Sequence, residues 1–182
     1  MGHIGDKADV AKAAYVHESA WIYGQVTLGE GSSVWPNVVM RAEMHEIVIG
    51  ARTNIQDFCM VHVGGRTPTI IGDDCSITHH VTLHGCEVGD KCLIGINATL
   101  MDGSKIGQHS IVAGHTIVME GQEFPENSII AGVPAKLVKA RDNGKANFYN
   151  AAFYHENAKN YAQGIDRLSF EELGERLKAK QV

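Results

Sequence analysis

Residues 88–130 read VGDKCLIGINATLMDGSKIGQHSIVAGHTIVMEGQEFPENSII. An apolar side chain recurs at every sixth position: Val88, Ile94, Leu100, Ile106, Val112, Val118, Phe124 and Ile130. An amphipathic helix would repeat about every 3.6 residues and an ordinary half-buried strand about every 2. Neither period fits. A sustained six-residue period is the signature of a parallel β-helix. Upstream, the same step runs through Ile4, Val10, Val16, Ile22, Leu28, Val34 and Met40. It breaks after Arg41 and resumes at Ile49, Ile55 and Val61. A second break spans Val63 to Ile70, after which Ile71, Ile77 and Leu83 continue. One residue is dropped before Val88, which gives 21 apolar positions in all.

Three hexapeptides close one triangular turn, so 21 repeats make about seven turns. The repeated apolar residue should point inward and stack on the one three repeats away, with rungs about 4.8 Å apart. Glycine often follows it, as in Leu28-Gly29, Ile49-Gly50 and Val88-Gly89. Glycine-rich corners are expected to supply backbone angles that other residues resist. The pattern resembles the left-handed β-helix of the hexapeptide-repeat superfamily, and left-handedness is implied by that resemblance. The expected fold is therefore mainly β, a left-handed parallel β-helix over residues 1–136 with C-terminal α-helices over residues 137–182. Ala131-Gly132-Val133-Pro134-Ala135-Lys136 resembles the exit signal of that superfamily. Asn147 to Gln163 reads as a helix offering Phe148, Ala151, Ala152, Tyr154, Ala158 and Tyr161 for packing. Ser169-Phe170-Glu171-Glu172 is a capping box opening a last helix that carries Leu173 and Leu177. The tail is expected to pack on the coil or on a neighbouring subunit.

The 182 residues suffice for one domain with a real core. The net charge of -5 and the scattered positive residues offer no nucleic-acid surface. No apolar run approaches a membrane span. The stretch MGHIGDKADVAK lacks the apolar core of a secretory signal, and Asp6 argues against myristoylation. Cys59, Cys75, Cys86 and Cys92 have no CxxC spacing. They read as reduced, mostly buried thiols of a cytoplasmic protein.

The chemistry is concentrated between Asn54 and Gly85, which holds His62, His79, His80 and His84, four of the ten histidines. Neutral imidazole is the commonest ligand for zinc-like ions. His62 follows Val61 and His84 follows Leu83, three repeats on. They should stand on one face, one turn apart, close enough to share an ion. Arg41, after Met40, extends that column by a turn. His79 falls on a different face and can join only across a trimer interface. Three histidines plus an open position is the pattern of a catalytic metal rather than a structural one. His80 reads as a bystander, and His3, His17, His109 and His155 as surface residues. His45 and His115 remain open. Arg41 suits a subunit salt bridge as well as a catalytic role.

Arg41, the run Asn54-Ile55-Gln56-Asp57, His62, His79 and His84-Gly85 together resemble the γ-class carbonic anhydrase family. The resemblance implies a homotrimer whose metal is bound by His62 and His84 of one subunit and His79 of the next. It implies reversible hydration of carbon dioxide to bicarbonate by hydroxide carried on the metal. In that frame Gln56 orients the hydroxide, Arg41 and Asp57 form an interface pair, and Asn54 joins their polar network. Tyr154 is the tail residue placed to lie over the site. Zinc is the default ion, and Fe2+ and Co2+ suit three imidazoles equally. The family's usual Asp two residues after the Arg is Glu43 here, and the loop from Val63 to Ile70 carries no carboxylate. Glu43, His45 or Glu46 is then left to shuttle protons. Two other readings stand beside this one. The first is a hexapeptide acyltransferase using acyl-coenzyme A, and the second is a metal-binding trimer without carbonic anhydrase activity.

Overall fold

In a computed structural model, residues 2–167 and 169–179 are described. The apolar period winds into a left-handed parallel β-helix of about seven turns, and its register follows the hexapeptide spacing. On the first face Ile4, Ile22, Met40, Val61, Leu83, Leu100 and Val118 are stacked Cα partners. On the second face the stack is Val16, Val34, Ile55, Ile77, Ile94, Val112 and Ile130. On the third it is Leu28, Ile49, Ile71, Val88, Ile106 and Phe124. Inside the coil these side chains lose nearly all contact with water; towards the ends Val16 and Phe124 are only partly buried, and Ile4, at the open first turn, stays 45% exposed. Each fully buried aliphatic contributes about 1.5–3 kcal/mol of transfer free energy, repeated rung after rung.

The corners differ from the sequence expectation. Ten described non-glycine residues hold positive φ, among them Phe58 at 61°, His80 at 59°, Asn97 at 60° and His115 at 59°. A left-handed residue with a side chain costs about 1–2 kcal/mol. Here the cost is offset because each such amide bonds to the rung before it. Phe58 N donates to Pro36 O at 3.0 Å, His80 N to Asp57 O at 3.0 Å and Asn97 N to His79 O at 3.1 Å. The glycines that follow the inward aliphatics serve close approach instead. A Cβ at Gly50 would lie 2.4 Å from the Gly72 carbonyl carbon.

The two register breaks are local excursions. Strand Val39–Ile49 pairs with Trp21–Leu28 up to Gly24↔Ala42 and again from Val26↔Ile47. Residues 43–46 therefore bulge outward where the partner has only Gln25. That strand passes from the first face to the third and joins both into one 11-stranded sheet; the second face forms a separate 8-stranded sheet.

After a strand at Lys136–Ala140, antiparallel to Ser128–Ala131, helix α1 spans Gly144–Tyr161 and lies on the second face of its own chain. It begins three residues before the expected Asn147 and ends two before Gln163. Ala151 and Ala158 are buried as expected, but Asn147, Glu156 and Asn160 are buried too. The polar burial has a cause. Asn147 Nδ2 donates to the carbonyls of Lys91 at 2.8 Å and Ser110 at 3.1 Å, which ties the helix to the coil beneath it. Trp35 anchors the other end among Tyr15, Tyr154 and Tyr161. Helix α2, Phe170–Ala179, opens with the expected capping box: Glu172 N donates to Ser169 Oγ at 3.2 Å, and Ser169 N to Glu172 Oε2 at 3.1 Å. The side chains of Leu173 and Leu177 lie outside the described residues. All four cysteines are buried and unpaired. Among the described residues no helix is long and apolar enough to cross a membrane.

Candidate metal centre

The first face carries the column that period counting foresees. Arg41 pairs with His62, and His62 with His84, on successive rungs. Each side chain points outward because it directly follows an inward Met40, Val61 or Leu83. The rings of His62 and His84 are 4.9 Å apart, with His62 Nδ1 at 3.0 Å from His84 Nε2.

The other nitrogen of each ring is taken. His62 Nε2 lies 3.0 Å from Glu43 Oε2, and His84 Nδ1 meets Asp102 Oδ1. His79, on the neighbouring corner, places Nδ1 at 3.0 Å from Asp57 Oδ2. An ionised carboxylate only accepts, so each of these outer nitrogens carries a proton. In neutral rings the inner nitrogens, His62 Nδ1 and His84 Nε2, then present lone pair to lone pair across 3.0 Å. That contact is repulsive unless a proton or a metal cation stands between them. Three imidazoles, each with one nitrogen held by a carboxylate and the other bare, fit a zinc-class ion. Among the described residues, no three His, Cys, Asp or Glu side chains of a single chain are grouped to hold an ion. His62 and His84 supply two donors, and His79 faces away on its corner.

Glu43 also accepts from Arg41 Nη1 at 2.5 Å. Partial desolvation raises its carboxyl, but its own backbone amide, His62 and the Arg41 charge outweigh this and hold it below the ordinary glutamate value. Arg41 and Asp57 are thus engaged separately within one chain, with Glu43 and His79. Gln56 and Asn54 are buried in a polar chain that ends on helix α1. Gln56 Nε2 donates to Asn54 Oδ1 at 2.9 Å, Asn54 Nδ2 to Ser76 Oγ at 3.0 Å, and Ser76 Oγ to Asn150 Oδ1 at 2.7 Å. Tyr154 packs edge-on against Trp35, with centroids 5.7 Å apart, on the second face and not over the His62–His84 column. Burial pushes its hydroxyl up, and the Asp57 charge adds to the shift.

The remaining histidines have other partners. His80 stacks on Phe58 at 4.9 Å, His115 bonds Asn97 at 3.2 Å, and His109 pairs with Asp142 at 3.2 Å. His45 lines a cavity of about 250 Å³ with Lys7, Met44 and Glu43. Sequence reasoning missed Asp102. It stands one turn on, opposite Gly85, and so is one step out of phase with the histidines.

Coil and column define a left-handed hexapeptide-repeat protein with half-buried histidines on one face. A family model described as Bacterial transferase hexapeptide (six repeats) matches residues 85–119. The chain is 44% identical over 108 residues to Gamma carbonic anhydrase 1, mitochondrial, of Arabidopsis thaliana, covering 56% of this chain and 39% of that protein. It is 46% identical over 91 residues to a protein named Probable carbonic anhydrase of Methanocaldococcus jannaschii, covering 50% and 57%. The chain thus spans about half the length of the curated relatives it matches, or less. A crystal structure from Bacillus cereus, provisionally named an acetyltransferase, superposes with a TM-score of 0.83 at 30% identity, covering 88% of this chain and 96% of that one. The chain is a hexapeptide-repeat protein, and over about half of its length it is similar to proteins named as carbonic anhydrases.

Proposed function

We propose that three copies of the chain assemble around shared metal centres and catalyse the reversible hydration of carbon dioxide to bicarbonate. In this reading His62 and His84 of one copy and His79 of the next hold the ion, zinc by default, with Fe2+ and Co2+ as alternatives. The observation that carries it is the pair of facing nitrogens 3.0 Å apart, each in a ring whose other nitrogen meets a carboxylate. The relatives named as carbonic anhydrases supply the choice of reaction. The trimer is supported by apolar side chains left outward on the first face and the adjoining corner, Trp21 at 41%, Met119 at 47%, Phe58 at 53% and Ile96 at 47% exposed. Such surface favours a head-to-tail contact between copies, in which the face of one meets the corner of the next and the ring closes. The four unpaired thiols agree with a cytoplasmic, reducing setting.

Bound at this place, a zinc-class ion brings the pKa of water to about 7. The chain's own residues do the rest. Glu43, Asp57 and Asp102 fix the three rings. Gln56, held by Asn54, orients the reacting oxygen. Arg41 and Asp57 pair across the interface, and Tyr154 screens its helix side. Glu43, His45 or Glu46 exports the proton. The Bacillus cereus likeness favours a second reading, acyl transfer from acyl-coenzyme A, and a metal-binding trimer without activity is a third. Metal analysis with light scattering on protein purified without chelator separates them. About one ion per subunit in a trimer, lost in His79→Ala, supports the shared centre. Stopped-flow carbon dioxide hydration then decides between the first and third readings. A metal-free trimer with intact histidines overturns the metal and leaves acyl-coenzyme A binding to be measured.

A further inference from the structure

We propose that Asp102 is a positioning residue: it locks His84 in the tautomer with a proton on Nδ1, so that Nε2 is bare toward His62. The consequence for ion binding rests on the metal centre proposed above, but the tautomer does not. Asp102 Oδ1 bonds His84 Nδ1 directly. The room for that carboxylate comes from two glycines. A Cβ at Gly85 would lie 2.9 Å from Asp102 Oδ1 and 2.3 Å from Thr67 Oγ1. A Cβ at Gly64 would lie 2.8 Å from Asp102 Oδ2 and 2.2 Å from Thr67 Oγ1. Gly85 also has φ of +59°, and its carbonyl accepts Gly103 N at 2.7 Å, which fixes the rung carrying Asp102. The short loop at the second break in the repeat is therefore a cradle. It turns back so that Gly64 N donates to Thr67 O at 2.9 Å and closes over the Asp102 carboxylate. Gly85 after His84 and Gly64 after Val63 share one purpose: to admit a carboxylate from the next turn behind His84.

Among the described residues no other partner than Asp102 holds the Nδ1 proton, and without it His84 would exchange between tautomers. The molecules with the proton on Nε2 would present that proton, not a lone pair, to an incoming ion. A carboxylate behind a ligand histidine also raises its basicity, and loss of such a partner costs about 10- to 100-fold in metal affinity.

The test uses the full chain, 15N-labelled, wild type and Asp102→Asn. Long-range 1H–15N spectra in excess chelator, at a pH where the rings are neutral, report the His84 tautomer. Zinc affinity is measured by competition with a chromophoric chelator. The expected result is a pure Nδ1–H tautomer in wild type, a mixed or inverted one in D102N, and zinc affinity lowered about 10- to 100-fold in D102N. An Nε2–H tautomer in wild type overturns the proposal, and it needs no variant to fold. So does a D102N protein with both tautomer and zinc affinity unchanged. If wild type binds no zinc at all, the metal reading fails while the His84 tautomer still decides the role of Asp102.

Discussion

His62 Nδ1 and His84 Nε2 face each other across 3.0 Å, and each ring's opposite nitrogen is held by a carboxylate, Glu43 in one case and Asp102 in the other. Two neutral imidazoles so arranged repel, so the folded chain should be measurably more stable with a cation between them. At about 100 times the dissociation constant, a ligand that binds only the folded state adds about 2.7 kcal/mol per site. Thermal melts of the wild type should therefore shift down on adding chelator. In His62→Ala the chelator shift should vanish. Equal chelator shifts in both proteins would remove the ion from this column.

His79 distinguishes a shared site from a private one. It is held by Asp57 on a corner away from the column, so His79→Ala leaves the His62–His84 pair of its own chain intact. The expected outcome is a folded protein whose zinc content falls below about one tenth of the wild-type value, with mass by light scattering measured on the same sample. Retained zinc at one ion per chain would mean that the column holds its ion without a neighbour.

The seven turns and the Arg41, His62, His84 column were legible because a fixed period makes phase countable. Once Val61 and Leu83 are three repeats apart, the positions after them must be rung neighbours, and they are. What was not legible depends on what a missing side chain leaves free. Asp102 follows Met101 and is one step out of phase with the histidines, so counting does not select it. Only the space behind Gly85 shows why it reaches His84. The corners escaped for a different reason. Glycine was expected to supply positive φ, yet Phe58 and His80 adopt it because their amides find acceptors on the previous rung. The early start of helix α1 also escaped, because Gly144 and Asn143 give little helical signal; the turn is held by Gly144 N donating to Asp142 Oδ1 at 2.8 Å.

The coil interior predicts a steep contrast between rungs. Ile94, on the second face, is fully buried between Ile77 and Val112, whereas Ile4 at the open turn is 45% exposed. Ile94→Ala should cost about 2–5 kcal/mol in urea unfolding, since rungs fixed on both sides cannot collapse into the cavity. Ile4→Ala should cost much less, within roughly 1 kcal/mol. Similar losses at both positions would contradict a core stacked along the axis.

The buried thiols predict how stability depends on alkaline pH. Burial pushes Cys59 and Cys86 up to about 12. An unfolded cysteine releases its proton near 8.5. The folded state thus keeps a proton that the unfolded state loses. The stability contributed is fully present below about pH 8.5 and is lost as pH rises from there toward 12. The slope is about 1.4 kcal/mol per pH unit for each such thiol. Cys86→Ala should lower stability at pH 8 by leaving a small cavity, yet flatten its decline between pH 9 and pH 10.5. Urea midpoints with chelator present measure both; an unchanged slope would mean that Cys86 titrates normally in the folded chain.

Two glycines separate close approach from mere flexibility. Gly50 sits so near the following rung that a Cβ would lie 2.4 Å from both the carbon and the oxygen of the Gly72 carbonyl. Those atoms are backbone and belong to the hydrogen-bonded ladder, where Gly50 N donates to Ile71 O at 2.8 Å, so they cannot move aside alone. Gly65 has no heavy atom within 4 Å of the same built Cβ. Gly50→Ala should therefore destabilise by at least about 2 kcal/mol, in the range of overpacked cores. Gly65→Ala should be neutral or stabilise by up to about 1 kcal/mol, because it restricts only the unfolded chain. Because Gly65 lies in the loop whose neighbour Gly64 cradles Asp102, zinc affinity in Gly65→Ala should stay at the wild-type value. If Gly65→Ala unfolds the protein while Gly50→Ala does not, the glycines after the inward aliphatics are not there to let successive turns approach.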